Sequence, residues 1–194
     1  MLELNEVQKN YHKDKGLKNV NICIQKGTLN LFVGRNGSGK STTLKLIGHV
    51  IFHRKNQGSM INQFKKMIYL PDKRTYPKLL KVSTFLKYFL EIDIDSKKMK
   101  YYLDRYQIPD KPIGGLSKGM LQKLGILQTL LNEGDLYLLD EPTDGLDTAS
   151  IQLFKEDLLF LLRMDKTIII STHNRSLFRD LKPTVFTFKE GVCK

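Results

Sequence analysis

No stretch of the 194-residue chain is apolar for long enough to cross a membrane, since a spanning helix needs about 18 or more apolar residues in a row. The N-terminus, Met1-Leu2-Glu3-Leu4, lacks the basic-then-apolar pattern of a secretory leader, so the expected location is the cytoplasm. Cysteine is scarce. The two present, Cys23 and Cys193, have no metal-ligand spacing, and in a reducing compartment they are expected as free thiols. Internal repeats and low-complexity tracts are missing, which excludes a solenoid or a tail-driven architecture. Acidic residues are in short supply, 20 against 32 basic ones, for a formal net charge of +12. Such a balance would suit nucleic acid or an anionic membrane surface. The lysines, however, are scattered (Lys9, Lys18, Lys65, Lys66, Lys73, Lys97, Lys98, Lys100), and the plain reading is a solvated surface.

What is present centres on Gly34-Arg35-Asn36-Gly37-Ser38-Gly39-Lys40-Ser41, which fits G-x-x-x-x-G-K-[ST]. It follows an apolar strand candidate, Leu29 to Val33, and precedes a helical run, Lys40 to Val50. Glycines let the backbone turn so that successive N–H groups face one concavity, and the helix adds its unpaired N-terminal donors. A polyphosphate is the natural ligand. Lys40 would reach its β- and γ-phosphates, and the Ser41 hydroxyl would take one position on Mg²⁺.

Alternation predicts strands over Leu2–Val7 and Leu17–Gln25, with Tyr11 in the turn between them. Short strands follow at Ser59–Ile61 and Met67–Leu70. From Asp72 to about Leu131 the periodicity is helical: Leu79, Val82, Phe85, Leu86, Phe89 and Leu90, then Met99, Tyr102, Leu103 and Tyr106, then Met120, Leu121, Leu124, Leu127, Leu130 and Leu131. Leu136–Asp140 reads as a buried central strand tipped by an acid, with Glu141 just beyond it. A helix over Thr148–Arg163 capped by Asp147, a strand at Thr167–Ile170, a short helix near Arg175–Leu181 and a strand at Thr184–Phe188 complete the chain. Strands alternating with helices predict an α/β fold of the P-loop NTPase (RecA-like) type, a parallel-sheet core preceded by an N-terminal antiparallel β region. One domain, 1–194, is expected, with its core in 1–71 and 132–194 and a helical subdomain insert at about 72–131.

Hydrolysis of a bound nucleotide needs a carboxylate for the metal and a base for water. Asp140 suits the first role and Glu141 the second. The flanking residues carry a resemblance. Leu116-Ser117-Lys118-Gly119-Met120 followed by Gln122, Leu139-Asp140-Glu141-Pro142-Thr143, Asp144-Gly145-Leu146-Asp147 and Ser171-Thr172-His173 stand in the order found in ATP-binding subunits of ABC transporters. The chain resembles that family over essentially its whole length. The resemblance implies that Gly34, Asn36, Gly37, Ser38, Gly39, Lys40, Ser41 and Thr42 form the phosphate loop for ATP and that Ser41 and Asp140 serve Mg²⁺. It further implies that Glu141 is the catalytic base, that His173 contacts the γ-phosphate and positions water, and that Tyr11 stacks on adenine. Ser117 and Gly119 would meet the ATP of an opposite subunit in a head-to-tail homodimer or heterodimer. No Asn-Lys-x-Asp for guanine is present.

The sequence also departs from the family. The glutamine that the family carries after the Tyr69-Leu70-Pro71 strand is Asp72 here, expected to bind the metal through a water; Gln63 and Gln107 lie too far away in the chain. Lys118 and Met120 replace the commonest signature residues, and Ser-x-Gly-Met followed by Gln resembles a form frequent in bacterial exporter subunits. The expectation is therefore a peripheral ATPase on the cytoplasmic face of the membrane that powers a separate permease, with no nucleic acid bound. Two rivals stand beside it. One is a soluble ATPase of the same superfamily acting on nucleic acid or the ribosome, favoured by the charge. The other is a non-catalytic partner in a heterodimer, in which Asp72 marks an altered site.

Overall fold

The computed structural model describes residues 1–12, 15–54, 57–90 and 96–193. Its strands form one sheet of mixed direction, and its organising element is the parallel part. There β8 (Thr184–Lys189), β3 (Leu29–Val33), β7 (Thr167–Thr172), β6 (Leu136–Asp140) and β5 (Met67–Leu70) lie side by side in that order. Every residue of β6 and β7 is buried, as expected of strands covered on both faces. Alternation sorts their side chains. Tyr137, Leu139, Ile168 and Ile170 join one hydrophobic cluster, whereas Leu136, Leu138 and Ile169 join the other.

The second cluster is closed by α1 (Lys40–Ile47), through Leu44, Leu46 and Ile47, and by an antiparallel layer of β1 (Leu2–His12), β2 (Lys15–Ile24) and β4 (Ser59–Asn62). A short strand, β9 (Val192–Cys193), pairs parallel to β2 and antiparallel to β8, joining the two parts of the sheet. The expected first strand stops at Val7, but the real one runs on to His12, so Tyr11 lies on a strand and not in a turn. Gly16 makes this possible. Its φ is 149°, and a Cβ there would fall 1.7 Å from the Lys9 carbonyl oxygen, so only glycine lets the ladder continue through Asn10 and Gly16. Within β1 the inward positions are Leu2, Leu4 and then Val7; the change of parity is absorbed at Glu6, which adopts φ 53° and interrupts the register. Both cysteines are free, and burial pushes the Cys193 thiol up to about 12.

Three helices lie between β5 and β6: α2 (Val82–Leu90), α3 (Ser96–Arg105) and α4 (Lys118–Leu131). Their inward residues, among them Val82, Leu86, Met99, Leu103, Leu124 and Leu127, join Leu70, Tyr137 and Leu139 of the sheet in the first cluster, together with Phe154 and Leu158 of α5 (Thr148–Arg163). The periodic stripe begins later than expected. Leu79 precedes α2 and is 92% exposed, and the side chain of Leu90 lies outside the described residues. Helix α5 has the expected limits, and its cap is the expected one: Asp147 accepts from the Ser150 N–H at 2.7 Å, and hydrogen bonding from Ser150 holds the Asp147 carboxyl down at about 2. The segment Arg175–Leu181 is 3₁₀-helical.

One buried polar contact ties α3's C-terminal end to α5. The Tyr106 hydroxyl, fully buried, donates to Asp157 Oδ2 at 2.5 Å, while Arg105 donates to Glu156 at 2.9 Å and to Asp157 Oδ1 at 3.4 Å. Burial pushes both the Tyr106 hydroxyl and the Asp157 carboxyl up. A charge-assisted bond at such a site is worth about 1.5–3 kcal/mol. Tyr106→Phe is accordingly expected to lower the unfolding free energy by about 2 kcal/mol, read as an earlier urea midpoint at constant slope, with ATP affinity unchanged. An unmoved midpoint would deny the bond a structural role.

Candidate functional site

The loop between β3 and α1 is packed from behind. A Cβ on Gly34 would lie 2.3 Å from the Phe188 carbonyl oxygen and 2.7 Å from Ser38 Oγ. Gly39, with φ 115°, is the residue on which the chain turns into α1. The Ser38 N–H donates to Arg35 O at 3.1 Å, and Ser38 O accepts from the Gly191 N–H at 3.0 Å. The residues 36–42 form one wall of a cavity of about 420 Å³ whose other wall includes Asp72, Lys73, Glu141, Asp144 and His173. Lys40 is 5% exposed; its ammonium donates to Gly34 O at 2.7 Å and Arg35 O at 3.3 Å and stands 3.5 Å from Glu141 Oε1.

The strand tips supply the acids. Asp140 closes β6 with only 2% exposure, and its Oδ1 accepts from the Ser41 hydroxyl at 2.8 Å and from the Ser171 hydroxyl of β7. A hydroxyl and a carboxylate oxygen side by side at the mouth of a phosphate loop fit a hard cation such as Mg²⁺. Glu141 takes φ 47°, so the chain leaves the strand sharply and its side chain swings away from that of Asp140. Its N–H donates to Ser171 O at 3.1 Å and to Ser171 Oγ at 3.2 Å. Its Oε2 accepts from the His173 N–H at 3.3 Å and meets His173 Nδ1 at 3.0 Å; its Oε1 accepts no hydrogen bond among the described residues and stands 3.5 Å from the Lys40 ammonium.

The structure thus brings Lys40, Ser41, Asp72, Asp140, Glu141 and His173 to one place. Gly34 sits behind the loop, contributing the carbonyl that holds Lys40. Besides Gly34 and the buried Asp140, which reaches the loop through Ser41, three more of the expected residues lie outside the cavity. Tyr11 is 48% exposed near the end of β1; it follows Asn10, which pairs with Gly16, and the neighbouring Leu17 packs on Gly39, so that end of the hairpin abuts the loop. Ser117 caps α4, its Oγ accepting from the Met120 N–H at 3.2 Å, and Gly119 lies within the first turn, where a Cβ would be 3.1 Å from Gly145 O. Three contributors went unassigned in the sequence. Asp144 and Lys73 line the cavity, and Ser171 holds both acids. Ser171 stood in the same motif as His173, and buried hydroxyls beside strand-end acids are the signal that would have found it.

Comparison with known proteins gives the family. A family model described as ABC transporter matches residues 17–144. The lantibiotic transport ATP-binding protein SrtF of Streptococcus pyogenes is 30% identical over 98% of this chain and 88% of its own. The zinc uptake system ATP-binding protein ZurA of Listeria innocua serovar 6a is 31% identical over 90% of this chain and 77% of its own. Among solved structures, a putative ABC transporter ATP-binding protein from Pyrococcus furiosus superposes with a TM-score of 0.81 at 25% identity, covering 96% of both chains. The chain belongs to the ABC transporter ATP-binding family. Its domain is of the kind that binds ATP, and membership implies ATPase activity.

Since Tyr11 flanks the cavity without lining it, its stacking role needs its own measurement. A base–aromatic stack contributes about 1–3 kcal/mol, so Tyr11→Ala is expected to raise the Kd for ATP about tenfold while leaving that for tripolyphosphate unchanged. Equal ATP affinities by calorimetry would remove Tyr11 from the site.

Proposed function

We propose that the chain is a Mg²⁺-dependent ATPase subunit that closes head-to-tail on a second subunit, identical or homologous, around two ATP molecules. On this reading it drives a separate membrane permease that exports its substrate. The observation that carries the proposal is Glu141, held at the mouth of the phosphate loop between Lys40 and His173. A carboxylate in that position takes the proton from the attacking water, His173 positions water and γ-phosphate, and Lys40 neutralises phosphate charge. Residues 36–42 cradle the phosphates, and Tyr11 stacks on the base. Ser41 and Asp140 would hold Mg²⁺, and Asp72 would act on it through a metal-bound water; the ion, when bound, would offset the charge that develops on the phosphate oxygens. Ser117 is exposed and Gly119 half-buried at the start of α4, which suits contact with the other subunit's ATP at a helix N-terminus. With the base and its histidine both in place, a non-catalytic role is disfavoured.

Among the described residues no helix is long and apolar enough to cross a membrane. On the proposed reading the permease is a separate body, and this subunit docks at its cytoplasmic face. The helical subdomain 72–131 is the proposed docking element. A groove of about 530 Å³ beside β5, lined by Tyr69, Arg74, Tyr76, Phe85 and Phe89 among others, supports that choice. Of the aromatic side chains in that subdomain, Tyr88 and Phe89 are exposed, at 78% and 54%; Phe85 is core, packed edge-on against Tyr76. Export rests on the Ser117-x-Gly119-Met120 form of the signature alone; one relative is named for lantibiotic transport and another for zinc uptake.

Glu141→Gln is expected to lower the ATPase rate at least about a hundredfold while ATP still binds, and to accumulate an ATP-dependent dimer on gel filtration. Turnover at the parent rate would overturn the base assignment. Captured from detergent-solubilised cells in ATP, the same variant should bring down a multi-spanning membrane protein in equal amount. Ribosomes or DNA retained through moderate salt would instead support the nucleic-acid reading and give the +12 charge its explanation.

A further inference from the structure

Glu141 is a non-glycine residue in the left-handed region, a conformation that persists only where the surroundings impose it. Its N–H is held by Ser171. What holds the far side of the residue comes from α4. Gln122, 7% exposed, donates from Nε2 to the Glu141 carbonyl at 3.3 Å and to the Pro142 carbonyl at 2.6 Å. Its amide oxygen accepts from Arg74 Nη2. The direction of the amide follows, because guanidinium is only a donor and the two carbonyls are only acceptors, so oxygen must face Arg74 and nitrogen the carbonyls. Arg74 in turn lies over Gly125, where a Cβ would stand 2.7 Å from Nη1. A glycine inside a helix costs about 1 kcal/mol relative to alanine, and room for this guanidinium is what it provides.

We propose that Gln122 and Arg74 are positioning residues for ATP hydrolysis. Gln122 clamps the Glu141–Pro142 turn and so sets where the Glu141 carboxylate stands, and Arg74 fixes the amide that does the clamping. The inference rests on the reading of Glu141 as base. Among the described residues neither Gln122 nor Arg74 lines the cavity walled by the loop 36–42, so the phosphates are expected to bind without them. The same guanidinium lines the groove beside β5, which places the far end of the clamp on the surface where the permease is proposed to dock.

The test is steady-state ATPase kinetics and ATP calorimetry on the full chain carrying Gln122→Met, Arg74→Met or both, with Arg74→Lys and Glu141→Gln in parallel. Misplacing a catalytic group by an ångström costs up to about a hundredfold, so Gln122→Met is expected to lower kcat about ten- to a hundredfold with the Kd for ATP within about twofold of the parent. Arg74→Met should do the same to a lesser degree, the double variant should be no slower than Gln122→Met alone, and Arg74→Lys should recover most of the rate. Thermal unfolding of each variant fixes the temperature at which all are folded; if Gln122→Met does not fold, the Arg74 pair carries the measurement. An unchanged kcat, or a weakened Kd at unchanged kcat, overturns the inference while Glu141→Gln is inactive. If Glu141→Gln is fully active, the base assignment has failed instead.

Discussion

The cavity depends on one buried carboxylate. Asp140 has almost no access to water, and an ion in that state is tolerated only where hydrogen bonds replace its hydration. Two hydroxyls do so, Ser41 from the first turn of α1 and Ser171 from the end of β7. Three elements that meet nowhere in sequence are thereby fixed to one oxygen. The phosphate loop is held against the tips of β6 and β7, and the position of Glu141, one residue on, follows from the same contact.

That contact is only as firm as the strands behind it. β6 and β7 are buried on both faces, their side chains sorted by simple alternation into two separate clusters. A register slip of one residue would exchange the clusters wholesale, so the tips are pinned by many apolar contacts at once. On this base the parts that must move are light. His173 is 55% exposed at its side chain and sits past the end of β7, and Asp72 and Lys73 belong to an irregular segment between β5 and α2. Candidate catalytic acids at the tip of a stiff strand and candidate ligand-contacting groups on loops would suit a site that must both hold and release a nucleotide.

The loop, the acid pair and the histidine were legible because each is a local pattern at a fixed offset from a strand; the loop, Glu141 and His173 line one cavity, and Asp140 joins it through Ser41. Helix α5 was legible to its ends because Asp147 and the apolar spacing both mark it. Elsewhere the local pattern misled. Apolar residues at helical steps suggested a start near Leu79, but the helix begins three residues later and Leu79 is solvent-facing. Tyr11 was placed in a turn because polar residues follow Val7, whereas the strand is prolonged by a close backbone approach that only Gly16 permits. β9 is two residues long and has no period to detect. Arg74 and Gln122 are 48 positions apart, and a hydrogen bond across that distance leaves no trace in periodicity or spacing.

Helix α4 draws these strands of argument together. At its first turn Ser117 caps the helix with its oxygen and faces outward; five residues on, Gln122 grips the turn that carries the chain's own Glu141. The two lie about 7.5 Å apart along the axis of an unbroken helix. If Ser117 meets the nucleotide of the opposite subunit, then the same rigid element reads one ATP and holds the base for the other. A shift of α4 large enough to make or lose the outward contact cannot leave the inward one untouched, since a helix transmits displacement along its length. Hydrolysis at the two sites of a dimer would then be linked through backbone geometry, with no separate signal required.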